Sequence, residues 1–330
     1  MTASSKSVTP IHYRATANAE LTPRAPFHFD GTFEKPSHFP TSLYHWSPGV
    51  FHQTIRIEHK IIGVGLRDRG NRRKPRIDVE MFHSDRLGAD EQAAVLAEIT
   101  YRYELKSDLR SFRAVVYRDV PNRVVFRRWM GMRASTPYSL YELMVVGLML
   151  QNTQARRSVQ MLEALIDRYG QRLAFDGVAI SAIWTPNDVA FEDENDLRAL
   201  RIGYRAKALL RFSKQFADGE VSEHSFREMD DAQLREALLL LYGVGPETAR
   251  ILQTEAFHRH TVFDHIAPWQ QKIYSRLLYG KKKVAARRII NDVKRKYGEY
   301  SALAVHYLWE DLFWKRQSQT IGWLEAEIRL

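Results

Sequence analysis

The segment Leu240-Leu241-Tyr242-Gly243-Val244-Gly245-Pro246-Glu247-Thr248-Ala249-Arg250, followed at position 264 by a lone Asp, concentrates the residue types able to do chemistry. Gly243 and Gly245 open backbone angles closed to other residues and, lacking side chains, let another molecule approach the main chain. Pro246 suits the first position of a helix, where its missing N–H costs nothing. The N–H groups of Val244, Gly245 and Glu247, with Thr248 behind them, can then point outward and favour an anion such as phosphate. The pattern reads as helix, hairpin, helix, then carboxylate. It could grip a nucleic-acid backbone without reading sequence, and the same turn also serves simply as a tight connection. Asp264 reads either as a reactive carboxylate or as a cap for the helix starting near Ala267-Pro268.

Other groups could join this centre. Gln151 and Asn152 close an apolar run and read as a polar helix end. Trp309, Trp269 and Tyr204 offer aromatic faces for a stacked ring, although aromatics at helical spacing are more often core. His258, His260 and His265 surround the motif without metal-site spacing and read as polar surface or loop hydrogen bonds. Two basic runs, Arg67 to Lys74 and Lys281-Lys282-Lys283 with Arg287, Arg288, Lys294, Arg295 and Lys296, could attract phosphates or be solvated faces.

The elements that must position these groups fall into two textures. Residues 1–41 are rich in Ser, Thr, Pro and Ala and read as a flexible lead-in. They hold no apolar leader, so secretion is not expected. Residues 42–130 read as a small α+β unit: alternation over Arg76–Phe82 gives a strand, helical spacing runs from Asp90 to Tyr103, and 115–117 and 124–126 look extended. Residues 131–330 read as helical. A buried helix covers Leu140 to Leu150, with Thr136-Pro137 as its start, and further helices flank the hairpin and follow Asp264.

Composition narrows the possibilities. The chain has 330 residues, 45% hydrophobic, enough for two domains. Lys and Arg number 49 against 39 Asp and Glu, a net charge of +10 that suits a polyanionic partner. No apolar run is long enough to span a bilayer. The chain has no cysteine, which excludes disulfides, thiolate catalysis, Cys-ligated zinc and iron–sulfur clusters.

The hairpin sequence resembles that of the helix-hairpin-helix, Gly/Pro-rich, Asp-dependent DNA glycosylase superfamily, whose usual form is Leu-Pro-Gly-Val-Gly-x-x-Thr-Ala. Leu200-Arg201-Ile202-Gly203-Tyr204-Arg205-Ala206 is similar to a stretch of the alkylpurine and 8-oxoguanine branches, and Glu142 to Thr153 to their buried helix with its amide-rich end. The resemblance spans about 42–325. It implies an antiparallel sheet with a helix, then an all-α glycosylase domain. It implies Asp264 as the catalytic carboxylate. Gly243, Val244, Gly245, Glu247, Thr248, Gln151 and Asn152 would contact DNA, and Trp309, Tyr204 or Trp269 would form the base pocket. No cofactor is required. A structural sodium or potassium ion on the carbonyls of Leu239, Leu241 and Val244 is the one metal implied. The expected partner is double-stranded DNA with a damaged base, met by a monomer inside the cell and away from membranes.

Two departures refine this. Strand-cleaving members place a nucleophilic Lys two residues after the second hairpin Gly, where this chain has Glu247. An amine can form a Schiff base and a carboxylate cannot. The resemblance therefore implies a monofunctional hydrolase, with an alkylated purine such as 3-methyladenine preferred. An 8-oxoguanine enzyme and a non-catalytic DNA-binding protein are the alternatives. Asp264-His265 stands where the family often shows Asp-x-His.

Overall fold

The computed structural model describes residues 9–328. Its first unit is built on an antiparallel sheet. The strands are β1 (Ile11–His12), β2 (Arg14–Leu21), β3 (Tyr44–Ser47), β4 (Val50–Ile57), β5 (Lys60–Asp68) and β6 (Ile77–His83). Five of them pair in the order β2-β6-β5-β4-β3. The alternation of β6 does what its sequence requires: Ile77, Val79 and Met81 are buried, and Asp78 and Glu80 are only half-buried. Helix α1 (Ala89–Arg102) presents Val95 and Ile99 to a core shared with Phe27, Phe29, Phe33, Phe51, Ile62 and Val64.

The expectation of a flexible lead-in is corrected over residues 9–41. This stretch supplies β1, β2, the short helix Phe29–Phe33 and three buried phenylalanines. Three aromatic rings bury enough surface to outweigh the ordering cost that a Ser/Thr/Pro-rich composition suggested would prevail. Residues 1–8 lie outside the described part. The strands expected at 115–117 and 124–126 are also corrected. They form the short helices Arg110–Val116 and Arg123–Trp129, because Phe112 with Val116 and Phe126 with Trp129 bury one helical face each. Tertiary packing overrides the β preference of valine here.

A second sheet was not foreseen. Strands β7 (Gln171–Phe175) and β8 (Val178–Ala182) form a hairpin, and β1 pairs parallel to β7. Phe175 packs on Ile61 and Phe82 of the large sheet.

The helical part has two cores. Helices α2 (Leu140–Leu150), α3 (Ala155–Tyr169), α4 (Arg205–Ala217), α5 (Asp231–Leu239) and α6 (Pro246–Glu255) share one, containing Val145, Leu165, Leu209, Leu238 and Leu252. Helices α7 (Pro268–Tyr279), α8 (Ala286–Tyr297) and α9 (Ser301–Ser318) build the other with Phe112, Phe126 and Tyr307. The start of α2 is three residues later than Thr136-Pro137. Ser139 caps it, with the Glu142 carboxylate accepting from the Ser139 N–H at 2.7 Å.

Arg133, at the join of the two units, is fully buried without a carboxylate partner. Its guanidinium donates to the carbonyls of Arg24, Pro26, Glu104, Ser107 and Gly131 at 3.0–3.3 Å. All five of its N–H donors are thereby occupied.

Candidate active site

The hairpin between α5 and α6 takes the expected form, with its two glycines in different roles. Gly243 sits at φ +83°, a conformation L side chains rarely adopt. Gly245 is extended, at φ −95° and ψ 178°, so its backbone does not need glycine. A Cβ built there would meet nothing within 4 Å, which leaves the face of the turn open. Pro246 occupies the first turn of α6 and no side chain caps that end. The amides at the start of α6 are therefore open to an anion. Val244 differs from the expectation, because its N–H is committed to the Leu241 carbonyl at 3.1 Å. Tyr242, where the family usually has Pro, lies under Arg211 at 4.6 Å and hands its N–H to Gln215.

The carbonyl set for a monovalent cation is partly used. Leu241 already accepts from Val244 and keeps one lone pair, while Leu239 is the last residue of α5, where carbonyls run out of helical donors. Such a donor set fits a weakly held alkali ion. Among the described residues, no group of three or more His, Asp or Glu side chains is placed to hold a metal.

Asp264 stands on the link from α6 to α7, which crosses from one helical core to the other. Ala256 and Phe257 anchor in the first core, Phe263 and Ile266 in the second. The two buried anchors beside Asp264 leave its carboxylate 44% exposed, with Arg235 of α5 at 3.5 Å. Asp264 does not cap α7. Ala267 is the cap, and Gln270 accepts from its N–H at 3.1 Å. The carboxylate thus has no helix-capping duty, and Arg235 is its charged neighbour.

Glu247 is held by neighbouring side chains. Its carboxylate turns to Arg250 at 2.8 Å and to His265 at 3.5 Å. Burial works against the Arg250 charge, but the hydrogen bond and the charge of Glu247, with other nearby acids, together outweigh it and raise the Arg250 pKa.

Gln151 and Asn152 end α2 beside the hairpin. Gln151 donates to the Gly243 carbonyl at 3.4 Å, and Asn152, at φ +50°, donates to the Tyr204 hydroxyl at 3.3 Å. Buried Arg205 donates to the carbonyls of Leu148 and Gln151, which fixes this helix end. The Gly203-Tyr204-Arg205 stretch therefore supports the amide pair. Tyr204 belongs here and not with the other two aromatics proposed for a base pocket. Trp269 and Trp309 do meet, edge to face at 5.7 Å, and Trp309 also stacks on Phe313 at 5.2 Å. Trp309 is largely committed to the contact of α7 with α9, and Trp269 is half-exposed.

Sequence reasoning missed a set of charged groups beneath α6. Lys35 and Glu310 are buried between the 34–46 segment and α9, with half-buried Glu255 of α6 and His306 of α9 near them. Burial pushes the Glu255 carboxyl up to about 7 despite Arg250 nearby. Burial likewise raises Glu310, against the pull of Lys35. The signal was present as His306 and Glu310, four apart where the apolar first half of α9 ends. His258 and His260 are also not surface groups. They gather on buried Glu104, with His260 Nε2 at 2.9 Å from both its oxygens.

No protein-family model matches the chain. Its sequence is 24% identical over 281 residues to a probable N-glycosylase/DNA lyase of Methanothermobacter thermautotrophicus, covering 79% of this chain and 85% of that one. Its fold is that of the 3-methyladenine DNA-glycosylase of Archaeoglobus fulgidus, with a TM-score of 0.73, 16% identity, and 92% and 99% of the two chains covered. It also matches the 8-oxoguanine glycosylase/lyase of Clostridium acetobutylicum, with a TM-score of 0.66, 18% identity, and 91% and 98% covered. These likenesses show that the chain has the fold of helix-hairpin-helix DNA glycosylases. Its N-terminal sheet unit followed by a helical region is the architecture of the 8-oxoguanine glycosylases.

Proposed function

We propose that this chain is a DNA glycosylase of base excision repair that hydrolyses the N-glycosidic bond of a damaged purine and does not cleave the strand. The observation that carries this reading is a partly exposed Asp264 with no capping role, together with Glu247 at the position where strand-cleaving members carry an amine. When the bond from C1′ to the base nitrogen breaks, positive charge develops on the sugar. A carboxylate beside it stabilises that charge and takes a proton from the attacking water, whose oxygen bonds to C1′. One acid suffices if the base leaves readily, as an alkylated purine such as 3-methyladenine does; two are usual for sugar–sugar bonds.

The remaining groups serve extrusion and grip. The open amides of Gly245, Glu247 and Thr248 hold a phosphate, with a sodium or potassium ion on the carbonyls of Leu239, Leu241 and Val244 as support. Gln151 and Asn152 fill the space left by the extruded nucleotide. Trp269 is the exposed aromatic nearest in sequence to Asp264 and can face the flipped ring. Lys35 does not replace the missing amine, since its ammonium donates to the carbonyls of Gly31, Thr32 and Arg133. Among the described residues no helix is long and apolar enough to cross a membrane, and the enzyme works where the DNA is, as a monomer.

Duplexes each carrying one lesion, incubated with the protein and then treated with alkali, test this. Scission only after alkali supports the hydrolase. Scission without alkali returns the lyase, and release confined to 8-oxoguanine returns the oxidised-purine reading. Asp264→Asn should abolish release and leave DNA affinity largely intact. Undiminished release by that variant would remove Asp264 from the mechanism, and binding without release from any lesion would favour the non-catalytic alternative.

A further inference from the structure

The link that carries Asp264 has neither helix nor strand between Glu255 and Pro268. It has no backbone ladder, so its path is set by what grips it. Ala256 and Phe257 hold one end, and Phe263 and Ile266 the other. In the middle, Arg259 donates to the carbonyls of Arg227 and Met229 at 3.3 and 2.7 Å, and Thr261 donates to Asp231 of α5 at 3.0 Å. The His260 carbonyl accepts from the Ala302 N–H of α9 at 3.2 Å. All of these partners belong to the helical part.

A further grip comes from the sheet unit. Glu104 lies just past α1 at φ +46°, a left-handed backbone uncommon for a residue with a side chain. Its side chain is 11% exposed and crosses to the link, where His260 Nε2 stands 2.9 Å from both carboxylate oxygens and His258 Nδ1 3.8 Å from one. Burial opposes the Glu104 charge, but His260, His258 and Arg133 prevail and hold its pKa at about 2. An ionised carboxylate only accepts, so His260 Nε2 is the donor. His258 is itself left-handed, at φ +58°, with its ring against Tyr101 at 4.9 Å. Tyr101, on α1, donates from its hydroxyl to the Ala256 carbonyl at 3.1 Å. Behind the acid, Arg133 donates to the Glu104 carbonyl at 3.2 Å. Backbones in such sparsely populated regions persist only where their surroundings over-determine them.

We propose that Glu104 is a positioning residue for base release: through His260 it fixes the link on which Asp264 stands, four residues further on. This rests on the glycosylase reading and gives the sheet unit a part in it. No regular element surrounds Asp264, so the run of contacts from Glu104 to His260 bears on where its carboxylate sits. Reacting groups have to stand about 3–3.5 Å apart, and a misplacement of about 1 Å costs on the order of 100-fold in rate. The amides assigned to phosphate lie at the start of α6, outside this contact. Loss of the grip should therefore slow release and spare DNA binding.

Glu104→Gln keeps size and removes charge; His260→Phe keeps a ring and removes the N–H. Each should slow single-turnover release by roughly 10–100-fold. Affinity for a duplex with a tetrahydrofuran abasic analogue should stay within about twofold of the wild type. The double variant should be no slower than the slower single one, because both changes break the same contact. Asp176→Asn serves as the comparison. It disrupts another acid–imidazole pair, with His52 at 2.6 Å on the β7–β8 hairpin, and should release at the wild-type rate. Hydrogen exchange read by mass spectrometry should show faster exchange over 256–267 in Glu104→Gln and not in Asp176→Asn. An undiminished rate in either single variant, additive losses, or DNA affinity falling in step with rate overturns the proposal. A wild type that releases no lesion would instead sink the glycosylase reading, and the exchange of the link would still decide whether Glu104 holds it: unchanged exchange refutes the grip.

Discussion

Glu247 Oε2 stands 3.5 Å from His265 Nε2, which ties the first turn of α6 to the residue beside Asp264. The acid thus has a structural occupation: it gathers Arg250 and His265. An amine in its place would project toward the same approach to Asp264.

Glu247→Lys should therefore confer strand cleavage. The expected product is a borohydride-trapped covalent complex with lesion DNA, seen as a shifted band on a denaturing gel. The change strips Arg250 of its carboxylate and should cost roughly 1–3 kcal/mol of stability. No trapped band from a folded variant would show that an amine here does not reach the sugar.

The two hairpin glycines should separate by assay. Gly243→Ala forces a side chain into a left-handed backbone and should lower stability by about 1–2 kcal/mol in denaturant melts. Gly245→Ala meets no atom of the protein, so its melt should match the wild type. Its DNA affinity should nevertheless fall by about tenfold, because the methyl enters the space a phosphate would fill. Equal losses of stability in both variants would contradict this division of roles.

Gln151→Ala with Asn152→Ala should slow single-turnover release by roughly 10–100-fold from a fully paired duplex. The loss should shrink when the lesion is mispaired, where less stacking and pairing has to be broken. A deficit independent of pairing would assign these amides to binding alone.

Acid stability should report on Glu98. Burial opposes its charge, but Arg102 at 2.7 Å and Arg227 at 2.9 Å prevail and hold its pKa at about 2. A depressed carboxyl stabilises the fold above its ordinary pKa of about 4.5, and that contribution disappears as pH falls toward 2. The difference in unfolding free energy between wild type and Glu98→Gln should be about 3 kcal/mol at neutral pH and narrow to almost nothing near pH 2. A difference that stays constant with pH would exclude this linkage.

The readable parts of the sequence were those where one local pattern decides the outcome. The alternation of β6, the apolar run of α2 and the Gly-Val-Gly-Pro turn each carry their own geometry, and each took its expected form. Valines 115, 116, 124 and 125 misled because β preference yields to a helical face when Phe112 and Phe126 need burying. The 27–33 strap was opaque because its partners, such as Phe51 and Tyr103, lie far along the chain. The same distance hid Lys35 with Glu255, His306 and Glu310. Four charged or polar residues spread over 276 positions acquire meaning only when the strap, α6 and α9 converge.

Arg133, just inside the helical half, spends every proton of its guanidinium on carbonyls of residues 24, 26, 104, 107 and 131. The sheet half and the helical half are consequently not detachable modules. A fragment cut at that boundary would strand a permanent cation without its cage, or a ring of carbonyls without its cation. A graft of the helical half onto another scaffold would need to carry residues 24–26 and 104–107 along.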